Sequence, residues 1–183
     1  MESVTTEQLE LLKFPIGRFV RGTCADTPER VAICVAALEG FPARLRAAVE
    51  DLGDGQLDTP YRPGGWTVRQ VTHHMADSHM NALIRFKLAL SEDNPTIKPY
   101  LQDPWSAQPD VHLPVDPSLM ILDGVHIRWV ALLKGTSMRD LERTYFHPEQ
   151  QRAMALSEAL ELYVWHSAHH LAHITGRAAR EGW

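Results

Sequence analysis

Residues 162–177, LYVWHSAHHLAHITGR, contain four of the ten histidines of the chain. Apolar side chains recur there every three to four residues, which is the spacing of one face of an α-helix. A second group of histidines lies in residues 71–79, VTHHMADSH, where the same spacing continues. Helices that carry polar side chains beside an apolar face are typical of bundles with an internal site. These two segments therefore predict a helical bundle.

Two further segments complete the prediction of an all-α, four-helix bundle. The helical spacing predicts main helices over about residues 28–50, 67–90, 117–134 and 157–180. Pro28 suits an opening turn, and Ser157 is expected to cap the last helix. Thr67 and Gln70 have the spacing of a capping box.

The segments between these helices predict long crossover connections. Residues 51–66 are rich in glycine, proline and aspartate, and residues 91–117 are rich in proline; such stretches form loops. The GFP sequence at residues 40–42 is expected to bend or interrupt the first helix. Residues 143–154 leave room for a short strand. We predict one domain over residues 1–183, and the long connections leave the order of the helices open.

Composition excludes several classes of protein. The chain has 183 residues, of which 44% are hydrophobic and 22% charged, as expected of one globular domain. A net charge of -5 without a basic run argues against nucleic-acid binding. No apolar run reaches the roughly 18 residues of a membrane span, and we expect a cytoplasmic protein. Cys24 and Cys34 form no CxxC pair, so we expect neither a disulfide nor a thiolate zinc site.

Helical angle separates the histidines of the last helix. With His166 set at zero, the apolar face centres at about 100°, His170 lies at about 40°, His173 at about −20° and His169 at about −60°. The i,i+4 pair His166 and His170 therefore lies nearer the core, with both imidazoles on one face. We predict that His169 faces solvent. His173 competes as a ligand, or orients one.

The second helix supplies one further candidate ligand. His74 lies on the flank of the apolar face, whereas His73 lies about 100° further round, towards solvent. His79 lies about 140° from His74, inside the apolar side, and is expected to make a buried hydrogen bond. The flank of His74 also carries Ser78, Asn81 and Arg85. The predicted ligands are thus His74, His166 and His170.

Three neutral imidazoles leave coordination positions open, which is typical of catalytic rather than structural metal sites. Zinc suits these ligands best, and nickel, cobalt, copper and iron also accept imidazole. A structural reading stays open, because single histidines are more often core or surface residues. The histidines predicted to be structural or solvent-exposed are His73, His112, His126 and His169.

Five sequence blocks resemble the YfiT-like branch of the DinB superfamily of metal-dependent hydrolases. They are YRPGGWTVRQVTHHMADSHMNALIRFKLAL (61–90), PTIKPY (95–100), RWVALLKG (128–135), YFHPE (145–149) and LYVWHSAHHLAHI (162–174). The resemblance implies a four-helix bundle that binds one divalent metal ion per chain through three histidines. The matching positions are His74, before MAD, and His166 and His170. The resemblance also implies a homodimer.

The expected activity is metal-dependent hydrolysis of a small molecule, in which the metal ion activates a water molecule. One alternative, from the same resemblance, is a thiol S-transferase that joins a bacillithiol-type thiol to electrophiles. A second alternative is a metal-binding stress protein without turnover. Asp77, Arg85 and Glu149 are the candidate catalytic side chains. We expect no nucleic-acid or membrane partner.

Overall fold

The computed structural model describes residues 5–22 and 25–183, and most of these residues are helical. The helices are α1 (Thr6–Lys13), α2 (Pro28–Glu39), α3 (Phe41–Val49), α4 (Asp54–Leu57), α5 (Val68–Ser91), α6 (Gln102–Trp105), α7 (Asp116–Lys134), α8 (Met138–Leu141) and α9 (Leu156–Glu181), with a 3₁₀ turn at Pro109–His112. The strands are β1 (Thr144–His147) and β2 (Arg152–Ala155). None of the helices in the described part of the chain is long and apolar enough to cross a membrane.

The long helices form a four-helix bundle, as predicted. Helix α5 contacts α7 and α9, and the α2–α3 pair contacts the same two helices. The α2–α3 pair and α5 therefore lie diagonally opposite each other, although they follow one another in the chain. The long connection between α5 and α7 includes α6 and the 3₁₀ turn. This arrangement places α5 beside α9, the two helices that carry the histidine-rich segments.

The first predicted helix is divided into α2 and α3, because its GFP sequence interrupts the helix. Gly40 ends α2, and Pro42 stands in the first turn of α3. Proline lacks the N–H that a continuous helix needs. At the start of α2, Thr27 accepts a hydrogen bond from the Arg30 N–H (3.3 Å) and Pro28 opens the helix. The predicted start and interruption are both confirmed.

The capping box at the start of α5 is also confirmed. The Gln70 N–H donates to the Thr67 hydroxyl (3.1 Å), and the Thr67 N–H donates to the Gln70 side-chain oxygen (2.9 Å). Both donors would otherwise lack an intrahelical acceptor. The cap fixes where α5 begins, and therefore the orientation of His74 two turns later.

We expect Thr67→Ala to lower the free energy of unfolding by about 1 kcal/mol, because a lost N-cap hydrogen bond typically costs that much. The measurement is urea denaturation at neutral pH. Thr67→Ser is the matched control, since its hydroxyl keeps the cap. Equal destabilisation by serine and alanine would show that the threonine methyl, and not the cap, stabilises the helix.

The start of α9 differs from the prediction. Strands β1 and β2 form an antiparallel hairpin in which Thr144 pairs with Ala155, and α9 begins directly after it. The N-cap is Ala155, without a side-chain hydrogen bond, so the predicted Ser157 cap is wrong. The Leu156 N–H donates instead to the Arg143 carbonyl (2.9 Å), which continues the hairpin into the helix. Leu156 is fully buried, and its burial fixes the entry into the bundle.

The core consists of two apolar clusters joined by buried histidines. One cluster contains Phe86 and Trp129, and the other contains Phe41 and Met75. The ring of His79 lies 5.8 Å from that of Trp129 and 5.3 Å from that of Phe41. The predicted buried position of His79 is thus confirmed. The bundle interior contains a polar layer between its apolar ends.

Candidate metal centre

The structure brings together the side chains of His74, His166 and His170. One ring nitrogen of each lies within 4.8 Å of the others, and the Nε2 atoms of His74 and His166 are 3.3 Å apart. His166 and His170 stand one turn apart on α9 and face His74 across the contact with α5. These are the three residues that helical angle selected.

Burial makes this group suitable for a metal ion. Desolvation lowers the pKa of His74 to about 4 and holds the pKa values of His166 and His170 well below their usual range. All three rings are therefore neutral at pH 7, with a lone pair available. A tetrahedral ion with bonds of about 2.0–2.1 Å separates its ligand nitrogens by about 3.3 Å, the separation seen between His74 and His166. The donor set fits zinc, and imidazole also suits nickel.

Trp66 covers one side of this group. Its ring centroid lies 4.8 Å from that of His74 and 6.4 Å from that of His170, onto which it stacks. The indole N–H donates to Asp103 (3.1 Å) in α6. The connection between α5 and α7 is thereby tied to the wall of the site. An aromatic cover of this kind restricts the access of water.

A chain of hydrogen bonds lies behind the group. His126 Nδ1 is 2.7 Å from the Leu38 carbonyl oxygen, and His126 Nε2 is 2.6 Å from His79 Nδ1. Since a carbonyl only accepts and the rings are neutral, His126 donates to Leu38 and His79 donates to His126. His79 Nε2 is then a buried acceptor without a partner. Its ring lies 6.0 Å from that of His166.

The other histidine pair of α9 faces the N-terminal segment. His169 is 7% exposed, so the prediction that it faces solvent is wrong. Its ring stacks on Trp165 (4.4 Å) and approaches Phe14 (5.9 Å). The helical angle was measured against the apolar face that packs in the bundle. Residues 5–22 cover a second face of α9, the one that carries His169.

His173 does not orient a ligand through a hydrogen bond in the structure. Its Nε2 donates to the Lys13 carbonyl (3.1 Å), its Nδ1 is buried without a partner, and its ring stacks on Tyr61 (3.9 Å). The Nδ1 atoms of His166 and His170 are also buried without a partner. His173 therefore attaches α1 to α9, and the pair that faces His74 remains distinct from the pair that holds the N-terminal segment.

The three candidate catalytic side chains lie in different surroundings. Asp77 is half-buried on α5, where burial and the charge of Asp110 raise its pKa to about 6. Arg85 is half-buried on α5 and donates to the Tyr163 hydroxyl (3.1 Å). Glu149 is exposed in the hairpin turn. The structure records no contact of Arg85 or Glu149 with the three histidines.

Two residues near Arg85, Tyr100 and His147, were not identified as candidates from sequence. The charge of Arg85 acts on both side chains, although they come from a long connection and from the hairpin. Both belong to short blocks that carried the family resemblance, PTIKPY and YFHPE. Those blocks were the available indication, since neither residue lies on a main helix.

Comparison with known proteins agrees with this architecture. The family model of the DinB superfamily matches residues 37–174. Relatives from Bacillus cereus and Bacillus mycoides, each named "Putative metal-dependent hydrolase", are 51% identical over 94% of this chain and 98% of their own length.

Two solved structures are similar. YfiT from Bacillus subtilis, described as "a probable metal-dependent hydrolase with an unusual four-helix bundle topology", has a TM-score of 0.90 and 47% identity, covering 94% of this chain and 99% of its own. The four-helix bundle protein TT2238 has a TM-score of 0.59 and 18% identity, covering 80% of this chain and 98% of its own. The second similarity concerns the fold alone.

Proposed function

The chain belongs to the DinB superfamily, and from this premise we propose that it is a hydrolase of small molecules that depends on one divalent metal ion. The proposed ligands are His74, His166 and His170. The observation that carries the proposal is the convergence of three neutral imidazoles within 4.8 Å of one another. The names of the relatives support the same reaction class.

The chemistry follows from this donor set. When bound, a divalent ion supplies Lewis acidity, which brings the pKa of a coordinated water to about 7 and polarises a substrate carbonyl. The three imidazoles would hold such an ion without neutralising its charge and would leave positions open for water and substrate. Trp66 shields one side of the group from solvent.

Asp77 is the proposed proton acceptor. It stands about one turn after His74 on α5, on the helix that supplies one ligand. Its pKa of about 6 suits a group that exchanges a proton near neutral pH. Glu149 is less suitable, since it is exposed in the hairpin turn.

The test is activity of tag-free protein loaded with zinc or nickel, on a panel of esters and amides. We expect hydrolysis that is lost with a chelator and lost in His170→Ala. A thiol-plus-electrophile conjugation assay runs beside it. Conjugation without hydrolysis would replace the hydrolase with the thiol S-transferase, and inactivity in both assays with one bound ion would favour a metal-binding protein without turnover.

A homodimer is part of the same proposal. It is supported by exposed apolar side chains on the outer faces of α2 and α7, namely Ile33, Met120 and Ile127. Light scattering of the purified protein measures the mass directly. A monomer at micromolar concentration would contradict this part of the proposal without affecting the metal centre.

A further inference from the structure

Arg85 is a half-buried cation without a counter-ion in the part of the chain that the structure describes. None of the ion pairs among these residues includes it. Its Nη1 donates to the Tyr163 hydroxyl (3.1 Å), and its Nε is buried without a hydrogen-bond partner. A guanidinium group has five N–H donors in a planar fork, so one hydroxyl leaves most of its capacity unused.

Three polar side chains, Tyr100, His147 and Tyr163, lie close enough to Arg85 for its charge to act on them. Burial is the largest influence on the pKa of each: it raises the pKa values of Tyr100 and Tyr163, which the charge of Arg85 opposes, and it lowers the pKa of His147, in the same direction as that charge. His147 Nδ1 is a second buried nitrogen without a partner. Because Tyr163 accepts the hydrogen bond from Arg85, its own hydroxyl proton is free to donate. Polar atoms with unused hydrogen-bonding capacity therefore surround one cation.

The polar side chains around Arg85 extend to the three-histidine group. Arg85 follows His74 by eleven residues on α5, which is about three turns, so both lie on the same flank. Tyr163 precedes His166 on α9 by three residues, and their ring centroids are 6.1 Å apart. Ser78, between His74 and Arg85 on α5, lies close enough to Tyr100 for its hydroxyl to lower the pKa of that side chain. One polar seam between α5 and α9 thus joins the cation to the candidate metal ligands.

We propose that Arg85 and Tyr163 bind an anionic group of the substrate, a carboxylate or a phosphate, while its reacting group lies at the three histidines. This inference rests on the proposed function and names its substrate class: small molecules with an anionic end. The guanidinium fork and the hydroxyl match the oxygens of such a group. Arg152 and Arg177 also have a buried Nε without a hydrogen-bond partner, but each forms an ion pair with a glutamate, which Arg85 lacks.

The test compares two probes on zinc-loaded protein by calorimetry. One probe is a hydroxamate with a terminal carboxylate, and the other is the same hydroxamate with a primary amide in place of the carboxylate. We expect the wild type to prefer the carboxylate by about 10-fold to 100-fold, as charge-assisted hydrogen bonds provide. Arg85→Gln should abolish the preference, and Arg85→Lys should retain part of it.

Lys87→Gln is the matched control, since it removes the same charge from an exposed position on the same helix. It should keep the wild-type preference. Equal affinity of the wild type for both probes, or an unchanged preference in Arg85→Gln, overturns the proposal. A loss of preference in Lys87→Gln as large as in Arg85→Gln also overturns it, because net charge would then explain the effect.

A second arm separates this proposal from the hydrolase proposal. Inorganic phosphate and succinate are titrated into metal-free protein, so neither metal loading nor turnover is needed. Millimolar binding that Arg85→Gln removes supports the anion site even if no ester is hydrolysed, and the stronger of the two ligands distinguishes phosphate from carboxylate. Absence of Arg85-dependent binding of both anions also overturns the anion site, whatever the outcome of the activity assays.

Discussion

His170→Ala is expected to lose stoichiometric zinc or nickel, with affinity falling by more than about 100-fold, beyond the 10- to 100-fold typical of residues that only support a ligand. The same loss is expected for His74→Ala and His166→Ala. Each variant leaves two of the three candidate ligands, and two imidazoles bind a divalent ion much more weakly than three. The measurement is metal content after incubation and desalting of tag-free protein.

His169→Ala is the matched control, since it removes the same ring from the neighbouring position of α9. It is expected to retain the metal ion, because His169 contacts Trp165 and Phe14 instead. Circular dichroism of each variant verifies that it is folded. If His169→Ala loses the ion while His166→Ala keeps it, the other i,i+4 pair of α9 provides the ligands.

Metal-free protein is expected to unfold as the pH falls from 6.5 towards 4. Burial lowers the pKa of His126 from 6.5 to about 4, and His74, His169 and His173 are lowered to about 4 as well. Above pH 6.5 these rings are neutral in both states. Below it the unfolded chain binds protons that the folded chain does not, so stability decreases with falling pH.

The expected size is large. A single histidine with the pKa shift of His126 contributes a loss of about 3 kcal/mol by pH 4, and a domain has about 5–15 kcal/mol in total. Asp77 acts in the opposite direction, because its raised pKa lets the folded state bind a proton before the unfolded state does. The effect of this single carboxyl on stability is smaller than the combined effect of the buried histidines. Thermal unfolding followed across this pH range measures the effect.

His126→Gln provides the control for this prediction, since glutamine does not titrate. Its stability is expected to depend less steeply on pH, by up to one proton, although its absolute stability is lower. An unfolding temperature that stays constant from pH 6.5 to about 4 would mean that the buried histidines titrate normally, contrary to their burial.

The sequence predicted best those features that depend on local chemistry. The Thr67 capping box, the interruption at Gly40 and the position of His74 beside the apolar face all follow from neighbours within a few residues along the chain. The three candidate metal ligands were selected by helical angle because each lies on a long, strongly periodic helix. Local periodicity therefore accounts for the bundle and for most of the candidate site.

The features that sequence missed depend on contacts between distant segments. The burial of His169 depends on Phe14, 155 positions earlier in the chain, and the start of α9 depends on a backbone hydrogen bond to Arg143. The surroundings of Arg85 depend on Tyr100 and His147, which lie outside the main helices. The angle of a residue on its own helix does not indicate which distant segments contact that residue.

The hydrogen bonds from His79 through His126 to Leu38 all run in one direction and fix the donor and acceptor nitrogens of both rings. The carbonyl of Leu38 lies in the last turn of α2, where helix carbonyls lack an intrahelical partner. Because this carbonyl can only accept, His126 must carry its hydrogen on Nδ1. His126 Nε2 then accepts, and His79 must carry its hydrogen on Nδ1. The main-chain oxygen of Leu38 on α2 thus determines which nitrogen of His79, beside the candidate metal centre, bears hydrogen. Because the acceptor is a backbone oxygen, a substitution of the Leu38 side chain that preserves the backbone is expected to leave both tautomers unchanged.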